Sequence, residues 1–412
     1  MKKLIVILTM LAAMNASGQW VQGTGISNCS VTSLAISGNN IFAGCSYSSN
    51  PPFQGIYLST NNGQNWSQAA LNDKSVLSLV TSENNIFAGT YNGVYLSTNN
   101  GTTWTQTALN DQWVLSFAIS GNNIFAGTND NGVYISTNSG STWTQTALNN
   151  KTVPSLAISG NNILAGAYDF PLGSGGVYLS TNNGSNWTLT ALSNKSVLSL
   201  AISGNNIFAG THDYPNPSGV WLSTNNGLSW TQTALNNQYV YTLAISENNI
   251  FAGCYVSSGA WLSTNNGVSW IQINQGWNPI PSVYTFLIAN NYVFAGTYDV
   301  WRRSLSEITG IPNISTEIPS EYSLSQNYPN PFNPRTVIRF DIQKPEVRSQ
   351  NSVVTLKIYD VMGREVQTLV NERLQPGTYE ATFDGSALNS GVYLYKLTAG
   401  KFSETRKMIL IK

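Results

Sequence analysis

Short apolar segments alternate with polar turns along most of the chain, and the whole pattern recurs at an interval of roughly 40 residues. In the second copy the apolar segments occupy residues 76–81, 86–90, 93–97 and 104–108, and Gly, Asn and Ser fill most of the turns between them. Such segments and turns are typical of antiparallel strands joined by hairpins. Each copy is therefore predicted to form four strands, a to d in chain order, as in one blade of a β-propeller.

The strands of the repeat do not all occur equally often. Strand b carries the marker Asn-Asn-Ile-Phe-Ala-Gly, or a close variant, seven times, whereas the hairpin between strands c and d occurs six times. The last copy, residues 282–304, lacks strand d, while Trp20 matches the tryptophan that opens strand d and has no strands before it. We therefore predict that residues 19–25 complete the last blade and close a seven-bladed ring. An open solenoid is the alternative, but it leaves both terminal sheets exposed.

The hairpin between strands c and d is the most constant part of the repeat. Its first copy, residues 59–66, reads Ser-Thr-Asn-Asn-Gly-Gln-Asn-Trp. This octet resembles the Asp-box, or bacterial neuraminidase repeat, Ser-x-Asp-x-Gly-x-Thr-Trp, with Asn at the Asp position in all six copies. The resemblance implies a structural turn remote from any active site, in which Asn binds turn amides and Trp covers the hairpin. In the first two copies the residues with these structural roles are Asn61, Gly63, Trp66, Asn99, Gly101 and Trp104.

Strand a of every copy carries a small polar residue at one position. In the second copy this residue is Ser78, which lies between Leu77 and Leu79. Because side chains alternate along a strand, we expect the two leucines on one face and Ser78 on the other. Small residues suit the crowded region near the axis of a ring of sheets. The counterparts of Ser78 are Ser33, Ser116, Ser155, Ser199, Thr242 and Thr285.

Charged residues make up 9% of the chain, and the formal net charge is zero. A nucleic-acid partner or an anionic membrane surface would require a basic excess, so neither is predicted. Residues 19–304 contain 13 charged side chains, whereas the shorter segment of residues 305–412 contains 23. This contrast predicts a propeller at residues 19–305 and a second domain at residues 321–412. The segment between them, residues 306–320, contains two prolines and is interpreted as a linker.

The N-terminus has the order of a secretory signal peptide. Two lysines follow Met1, an apolar run covers residues 4–13, and small residues precede Gln19. We predict a signal peptide at residues 1–18, cleavage after Gly18 and export of the mature protein. The apolar run is too short to anchor the chain in a bilayer, and no other stretch is long and apolar enough to cross one.

Three cysteines are too few for a disulfide scaffold. Cys29 flanks the first strand a, and Cys45 ends the strand b that should pair with it. A bridge between these two cysteines and a pair of free thiols are therefore both open interpretations. Cys254 occupies the same repeat position as Cys45 and is expected to be a small buried residue.

A second run of strands follows the linker, and its lengths and turns predict a small Ig-like β-sandwich. Residues 327–334 read Asn-Tyr-Pro-Asn-Pro-Phe-Asn-Pro, residues 358–366 read Ile-Tyr-Asp-Val-Met-Gly-Arg-Glu-Val, and residues 389–397 read Asn-Ser-Gly-Val-Tyr-Leu-Tyr-Lys-Leu. With a basic and apolar end at residues 406–410, these motifs closely resemble the type A C-terminal sorting domain of the type IX secretion system. The predicted strands are residues 336–342, 353–360, 365–369, 377–384, 391–399 and 402–411.

The sorting-domain resemblance covers about the last quarter of the chain. It implies passage across the outer membrane by the type IX secretion machinery, followed by release or by attachment to the cell surface. It says nothing about what the propeller does. A generic carbohydrate-binding sandwich is the alternative for this domain.

Residues 19–304 contain few groups of side chains that could form a catalytic site. Sialidases that carry the box use three arginines, whereas this segment contains only Arg302 and Arg303, and two neighbours on one strand point to opposite faces. Glycoside hydrolysis usually needs two carboxyl groups across one bond. Asp169 and Asp213, in corresponding loops of adjacent blades, are the one pair considered, and both are interpreted as turn residues.

Metal and cofactor sites are not predicted. His212 is the sole histidine of the chain, which excludes a site built from clustered histidines. The Asn-rich turns lack the dense carboxylates that favour strong calcium binding. We therefore predict no catalytic residue, no metal ligand and no cofactor, and we do not expect sialidase activity.

The loops that differ most between copies should lie at one end of the ring. The a–b and c–d turns are nearly constant, whereas the b–c loops and d–a connections, which emerge together from a four-stranded blade, vary in length and aromatic content. Such variation on a constant scaffold is typical of a binding face. Aromatic faces with neutral hydrogen-bonding groups suit sugar rings or a protein surface. The candidate ligand-binding residues are Trp113, Tyr168, Phe170, Tyr214, Tyr239 and Trp277.

These patterns predict a secreted or cell-surface, non-catalytic propeller that binds a glycan or a surface protein. Two alternatives stay open. The aromatic residues of the long loops could pack locally without a ligand, or a glycan-cleaving enzyme could use the same face if two carboxyl groups meet there. The scarcity of convergent charge favours binding.

Overall fold

The computed structural model divides into two compact units, Met1–Ser304 and Leu305–Lys412, which are described separately. The predicted signal peptide at residues 1–18, and residues 309–318 of the predicted linker, lie outside the described residues. Within the described ranges no helix is long and apolar enough to cross a membrane. The structure describes residues 19–26, 29–46, 55–168, 175–246, 248–255, 257–308, 319–343, 353–372, 374, 376–385 and 388–412.

The described part of the first unit forms seven antiparallel four-stranded sheets, here called blades 1 to 7, so four strands per repeat are confirmed. The first strand of the described residues is β1 (Val21–Gln22). Blade 1 contains β2 (Ser30–Ser37), β3 (Asn40–Ser46), β4 (Gly55–Ser59) and β5 (Ser67–Ala70), and blade 2 contains β6 (Val76–Ser82), β7 (Asn85–Thr90), β8 (Gly93–Ser97) and β9 (Thr105–Gln106). Blade 3 contains β10 (Val114–Ser120), β11 (Asn123–Thr128), β12 (Val133–Ser136) and β13 (Thr144–Gln145).

The remaining blades repeat this arrangement. Blade 4 contains β14 (Thr152–Ser159), β15 (Asn162–Tyr168), β16 (Gly176–Ser180) and β17 (Thr188–Ser193), and blade 5 contains β18 (Val197–Ser203), β19 (Asn206–Thr211), β20 (Val220–Ser223) and β21 (Thr231–Gln232). Blade 6 contains β22 (Val240–Ser246), β23 (Asn249–Cys254), β24 (Ala260–Ser263) and β25 (Ile271–Gln272), and blade 7 contains β26 (Thr285–Ala289), β27 (Tyr292–Gly296), β28 (Val300–Ser304) and β1.

Blade 7 is built from both ends of the unit. β1 pairs antiparallel with β28, with Val21 opposite Arg302 and Gln22 opposite Trp301. The residue before β1, Trp20, is buried, and its Nε1 donates a hydrogen bond to the carbonyl of Ile273 in blade 6 at 2.6 Å. The N-terminal strand therefore occupies the strand d position that the last repeat lacks.

From blade 1 to blade 6, the interfaces between consecutive blades have apolar cores of their own. Between blades 1 and 2, Phe42 and Ile56 of the first pack with Val76 and Ile86 of the second, and all four side chains are fully buried. Burying a side chain of this size contributes about 1.5–3 kcal/mol to folding. The phenylalanine of strand b has fully buried counterparts in other blades, namely Phe87, Phe125, Phe208, Phe251 and Phe294.

The small polar residue of strand a joins neighbouring blades by hydrogen bonds. The Ser78 hydroxyl in blade 2 donates to the Val114 carbonyl of blade 3 at 3.0 Å. Its counterpart Ser33 in blade 1 accepts from the Leu79 amide of blade 2 at 2.7 Å. Crowding explains why these residues are small, and the hydrogen bonds explain why they carry a hydroxyl. Equivalent bonds run from Ser116 to Val153, from Leu200 to Ser155 and from Leu243 to Ser199.

Strand a departs from the simple alternation expected from the sequence. Its register shifts between Val76 and Ser78, which places Leu77 at a β-bulge. A Cβ atom added at Gly44 of blade 1 would contact Val76 and Leu79, so these two side chains share the face that packs on the preceding blade. The same register shift recurs in blades 1 and 3 to 6.

Each c–d hairpin is held by the side chains of its repeated octet. In blade 2 the Ser97 hydroxyl accepts a hydrogen bond from the Gly101 amide at 2.9 Å and donates to Asn99 Oδ1 at 3.0 Å. Asn99 Oδ1 also accepts a hydrogen bond from the Thr103 amide at 2.9 Å, and Asn99 Nδ2 donates to the Thr103 hydroxyl at 2.9 Å. Asn therefore supplies the acceptor that Asp would supply and adds a donor. The bond from glycine to serine recurs from Gly63 to Ser59, Gly140 to Ser136, Gly184 to Ser180, Gly227 to Ser223 and Gly267 to Ser263.

The glycine of the octet lets each hairpin lie close against the preceding blade. Gly101 has a φ of +80°, and a Cβ atom there would lie 2.7 Å from Cε1 of Phe42 in blade 1. Trp104 is half-buried over its hairpin, and its Nε1 donates to the Gly101 carbonyl at 3.0 Å. Trp66, its counterpart in blade 1, is buried.

Replacing Gly101 by Ala is expected to lower the free energy of unfolding by about 2–3 kcal/mol, because the new Cβ strains the backbone and collides with Phe42. Gly121→Ala is the matched control: Gly121 has a φ of +57°, but nothing lies within 4 Å of the added Cβ. We expect this control to cost about 1 kcal/mol. Denaturant titration of the full chain measures both values, and equal losses would contradict the proposed contact with the preceding blade.

Cys29 and Cys45 form a disulfide with a Cα–Cα distance of 5.6 Å. Of the two open interpretations, the bridge is therefore the correct one. Cys254 is free and buried, as expected, and burial raises the pKa of its thiol to about 12. It behaves as a small apolar residue and not as a reactive thiolate.

The described part of the second unit contains two antiparallel sheets over one core, whose fully buried side chains include Phe340, Leu356, Phe383 and Tyr395. All six predicted strands are present, with ends moved by a few residues at most, and a short strand is added before them. The unit begins with α1 (Leu305–Ile308). One sheet has the order β29 (Ser323–Leu324), β30 (Arg335–Ile342), β33 (Gly377–Asp384), and the other has the order β32 (Glu365–Glu372), β31 (Val354–Asp360), β34 (Gly391–Ala399), β35 (Phe402–Leu410).

The motifs that suggested a sorting domain hold turns of this sandwich. The Asn327 backbone amide donates to the Tyr395 hydroxyl at 2.9 Å, and Asn327 Nδ2 donates to the Thr336 hydroxyl at 2.9 Å. In the turn after β31, Asp360 Oδ1 accepts from the Arg364 amide at 3.0 Å, and Asp360 Oδ2 accepts from Arg364 Nε at 2.7 Å. The polar residues of these motifs therefore satisfy hydrogen-bonding groups within the turns of the sandwich.

Candidate functional site

The b–c loops and the d–a connections meet at one end of the blades, here called the loop end. This is the arrangement expected for four-stranded antiparallel blades. Backbone hydrogen bonds tie a b–c loop to the connection that precedes strand a of the same blade. These bonds run from Asn129 N to Trp113 O at 3.0 Å, from His212 N to Ser196 O at 2.9 Å and from Tyr255 N to Tyr239 O at 3.0 Å.

Seven aromatic side chains at the loop end of blades 5 to 7 form a continuous chain of ring contacts, here called the aromatic cluster. Tyr241 lies at its centre, and its ring centroid is 5.0 Å from that of Tyr255 and 5.9 Å from that of Tyr284. The His212 ring stacks on Tyr241 with centroids 5.3 Å apart and an interplanar angle of 12°. The other contacts are His212 to Tyr239 at 4.7 Å, His212 to Tyr255 at 6.1 Å, Tyr214 to Tyr239 at 6.5 Å and Tyr284 to Tyr298 at 5.9 Å.

Two central members, Tyr241 and Tyr284, come from the start of strand a and were not among the candidates from the sequence. Tyr241 sits at the register shift of β22, at the position that Leu77 occupies in blade 2. Tyr284 directly precedes β26, within Val-Tyr-Thr as in blade 6. The signal that could have found them is this replacement of leucine by tyrosine in two consecutive copies.

Burial disfavours the charged forms of three rings of the aromatic cluster, Tyr241, Tyr284 and His212. Burial, with smaller contributions from neighbouring tyrosines that include Tyr168, raises the pKa of Tyr241 to about 12. Burial, with a hydrogen bond to Tyr298, also raises the pKa of Tyr284. Burial lowers the pKa of His212, which favours the neutral imidazole. Near neutral pH these three rings therefore present two hydroxyl groups and one imidazole without formal charge.

The loop that carries His212 and Tyr214 is anchored on both sides. The Tyr239 hydroxyl donates to the Pro215 carbonyl at 2.9 Å. Asp213 accepts from the Ser196 amide at 2.8 Å and from the Ser218 hydroxyl, and Lys195 Nζ lies 3.2 Å from its Oδ2. These contacts support the interpretation of Asp213 as a turn residue.

The structure separates the sequence candidates into groups. Tyr214 and Tyr239 belong to the aromatic cluster, and Tyr168 is half-buried close enough to raise the pKa of Tyr241. Trp113 is 50% exposed and forms a separate pair with Tyr91, with centroids 4.9 Å apart. Phe170 lies outside the described residues, as does Asp169.

Trp277 was predicted to be a ligand contact, but the structure buries its side chain. Its side chain is 6% exposed and stacks on Trp20 with centroids 4.6 Å apart and an interplanar angle of 8°. It also meets the edge of Trp301 at 6.2 Å. Trp277 therefore belongs to the core that receives the N-terminal strand, and it is unsuitable as a ligand contact.

Arg302 and Arg303 point to different neighbours, as expected for adjacent residues on a strand. Arg302 Nη1 donates to the Asn62 carbonyl of blade 1 at 3.0 Å. The buried Arg303 donates from Nη1 to Gln275 Oε1 at 2.9 Å, on the blade 6 side. Both therefore serve the packing of blade 7 and do not converge on a carboxylate. Over the residues whose placement is described, no group of three or more His, Cys, Asp or Glu side chains could hold a metal ion.

Parts of the chain match two protein families. Residues 326–412 match the secretion system C-terminal sorting domain, and residues 55–165 match the DUF6242 beta propeller domain. Each match covers less than half of the chain. No curated protein matches the chain.

Solved structures with a similar fold have low sequence identity. PorZ from Porphyromonas gingivalis, an essential bacterial surface component of the type-IX secretion system, is 14% identical with a TM-score of 0.55, covering 92% of this chain and 59% of that chain. YCF48 from Cyanidioschyzon merolae is 11% identical with a TM-score of 0.56, covering 70% and 99%. YCF48 bound to D1 peptide is 13% identical with a TM-score of 0.54, covering 69% and 94%. At these identities the likeness concerns the fold alone.

The first unit is thus a β-propeller, and the second contains a sorting domain that implies interaction with the type IX secretion machinery. The all-β fold and the sorting domain predicted from the sequence are confirmed. Because it carries this sorting domain, the protein is exported by type IX secretion to the cell surface or the extracellular space.

Proposed function

We propose that the protein is a secreted or surface-held, non-catalytic binding module whose ligand, a glycan or a surface protein, contacts the loop end. The observation that carries this proposal is the aromatic cluster. Its rings already pack against one another, so they lose little conformational freedom when a ligand binds. Large rigid aromatic surfaces with hydroxyl groups supply much of the affinity in protein binding sites.

We also propose that the seven blades close into one ring, in which the Asp-box-like hairpins are structural. Three contacts between blades 7 and 1 support closure. Arg302 binds the Asn62 carbonyl, β2 lies against β26, and a Cβ atom at Gly63 would lie 2.7 Å from Phe294. A closed ring covers the sheet faces that an open solenoid leaves exposed. It would also hold the loops of blades 5 to 7 in fixed positions.

A glycan-cleaving enzyme is the second candidate. It would use carboxyl groups at the loop end, and Asp213 stands beside the aromatic cluster. The oxygens of Asp213 are already occupied by an amide, a hydroxyl and the ammonium group of Lys195. A carboxylate held in this way is suited to fixing a loop, because a general acid or a nucleophile needs an accessible oxygen.

Replacing both Trp113 and Tyr214 by Ala is expected to weaken ligand binding by at least about tenfold, since exposed aromatic rings contribute mainly to a partner. Because these side chains are 50% and 80% exposed, the melting temperature should change little. The full chain is applied to a glycan array and to an array of surface proteins.

The matched control for this test replaces Gln64 and Thr102 by Ala. Both residues are exposed at the tips of the c–d hairpins, at the opposite end of the blades. Binding should be unchanged in the control. If the hairpin substitutions weaken binding and the aromatic substitutions do not, the ligand contacts the hairpin end of the blades and the proposal is wrong.

A further inference from the structure

The aromatic cluster has an exposed edge on a buried support. Tyr214 is 80% exposed and Tyr298 is 58% exposed, whereas Tyr241 and Tyr284 behind them are half-buried. The Tyr298 ring meets Tyr284 nearly at a right angle, 85°, and Tyr214 lies nearly parallel to Tyr239, at 25°. Each exposed ring is thus held by a contact with another ring of the cluster, and most of its surface stays accessible.

The aromatic cluster is extended and not a single point. Its contacts pass from Tyr214 in blade 5, through Tyr239 and Tyr241 in blade 6, to Tyr284 and Tyr298 in blade 7. A ligand that covers both exposed ends must therefore reach across three blades. A chain of several units fits this spacing better than one small molecule.

Charged groups beside the aromatic cluster are already paired or partly withdrawn from water. Asp213 forms an ion pair with Lys195, and Lys195 Nζ also lies 5.7 Å from the Trp221 ring. Asp299, which follows Tyr298, is half-buried, and its side chain is hydrogen-bonded by Gln22. Acidic or basic ligands would thus find little to balance their charge, and their desolvation would be costly.

We propose that the aromatic cluster binds an uncharged glycan chain, with sugar rings stacked on Tyr214 and Tyr298. A sugar ring offers a flat face of C–H groups that packs on an aromatic ring, and its hydroxyl groups exchange hydrogen bonds with tyrosine hydroxyls. This inference rests on the proposed function, because it names the class of ligand that the loop end takes.

The test uses the full chain and isothermal titration with cellohexaose, xylohexaose, maltohexaose and chitohexaose, with hexagalacturonate as a charged comparison. At least one neutral hexasaccharide should bind, and hexagalacturonate should not. Tyr298→Ala and Tyr214→Ala should each weaken binding by at least about tenfold. Tyr298→Phe and Tyr214→Phe keep the stacking face and should change affinity by less than about threefold.

The matched control is Leu228→Ala. Leu228 is 81% exposed in a c–d hairpin, at the opposite end of the blades from the aromatic cluster, so its removal should leave binding unchanged. The inference is overturned if no neutral hexasaccharide binds. It is also overturned if the Tyr214→Ala and Tyr298→Ala variants bind as tightly as the unsubstituted chain. Both substituted positions are exposed, so a folding defect is not expected, and melting curves check this.

The outcomes also separate this inference from the proposed function. If the chain binds a protein or peptide instead, and the same alanine variants lose that binding, the glycan class is wrong while the loop end remains the binding face. If ligand binding depends only on Gln64 and Thr102, the proposed function itself is wrong.

Discussion

Replacing Trp20 by Ala should lower the free energy of unfolding by about 3–5 kcal/mol. Trp20 is 3% exposed, its ring stacks on Trp277 and lies 6.4 Å from Phe286, and its Nε1 binds the Ile273 carbonyl. The substitution creates a cavity, removes a hydrogen bond and loosens β1 from the sheet that it completes. Denaturant unfolding of the full chain measures the loss.

Trp113→Ala is the matched control for this experiment. It also removes a tryptophan, but from a side chain that is 50% exposed at the loop end. We expect a loss of less than about 1 kcal/mol. A chain without residues 19–25 should be destabilised at least as much as the Trp20 variant. Unchanged thermal stability of that shortened chain would refute closure by the N-terminal strand.

Removing residues 322–412 should abolish surface display and leave a folded propeller in the periplasm. The sorting domain directs export. The propeller should stay folded because its cores and those of the second unit are made of separate sets of residues. Surface labelling of intact cells measures display, and the protease resistance of the periplasmic fraction measures folding.

Lys401→Ala is the control for the deletion. Lys401 is exposed in the turn between β34 and β35, so its loss should change neither the fold of the sorting domain nor display. Normal display of the chain without residues 322–412 would mean that the sorting signal lies elsewhere.

Local features were predictable from the sequence because they depend on neighbours in the chain. The four strands of blade 2 and the hairpin around Ser97 follow from alternation, turn residues and one repeated octet. The size of Ser78 was explained by crowding, but its hydrogen bond to Val114 was not foreseen, since it joins two repeats. Contacts within a repeat are visible in one copy, whereas contacts between repeats need the register of both.

Residues near the two ends of the propeller were harder to interpret, because the repeat is incomplete there. Trp277 lies in a d–a connection, as does the exposed Trp113, although the two occupy different positions of their connections. Trp277 is buried because Trp20 arrives from the far end of the unit and stacks on it, and because Trp301 also packs against it. The pairing of Cys29 with Cys45 was likewise undecided, since strand pairing brings two positions near each other without setting the direction of their side chains.

The aromatic cluster shows a different limit. Its loop residues Tyr214 and Tyr239 were found by comparing loops. Tyr241 lies in strand a of blade 6, and Tyr284 directly precedes strand a of blade 7, and both segments were interpreted as framework. They reach the loop end because strand a starts there, and Tyr241 sits at a β-bulge that alternation does not reveal. A site at the end of a blade therefore draws residues from strands as well as from loops.

The contact between Trp20 and Ile273 joins residues that are 253 positions apart in the chain. Such distant contacts form late in folding, because the entropy lost in closing a long loop is recovered only when both partners are in place. Blades 1 to 5 can fold as the chain emerges into the periplasm, since each is made of consecutive residues. Trp20 can be buried only after blades 6 and 7 have folded, and until then its ring is exposed to solvent. The N-terminal strand is therefore expected to be the last part of the propeller to become protected from proteases, whatever the order in which the other blades fold.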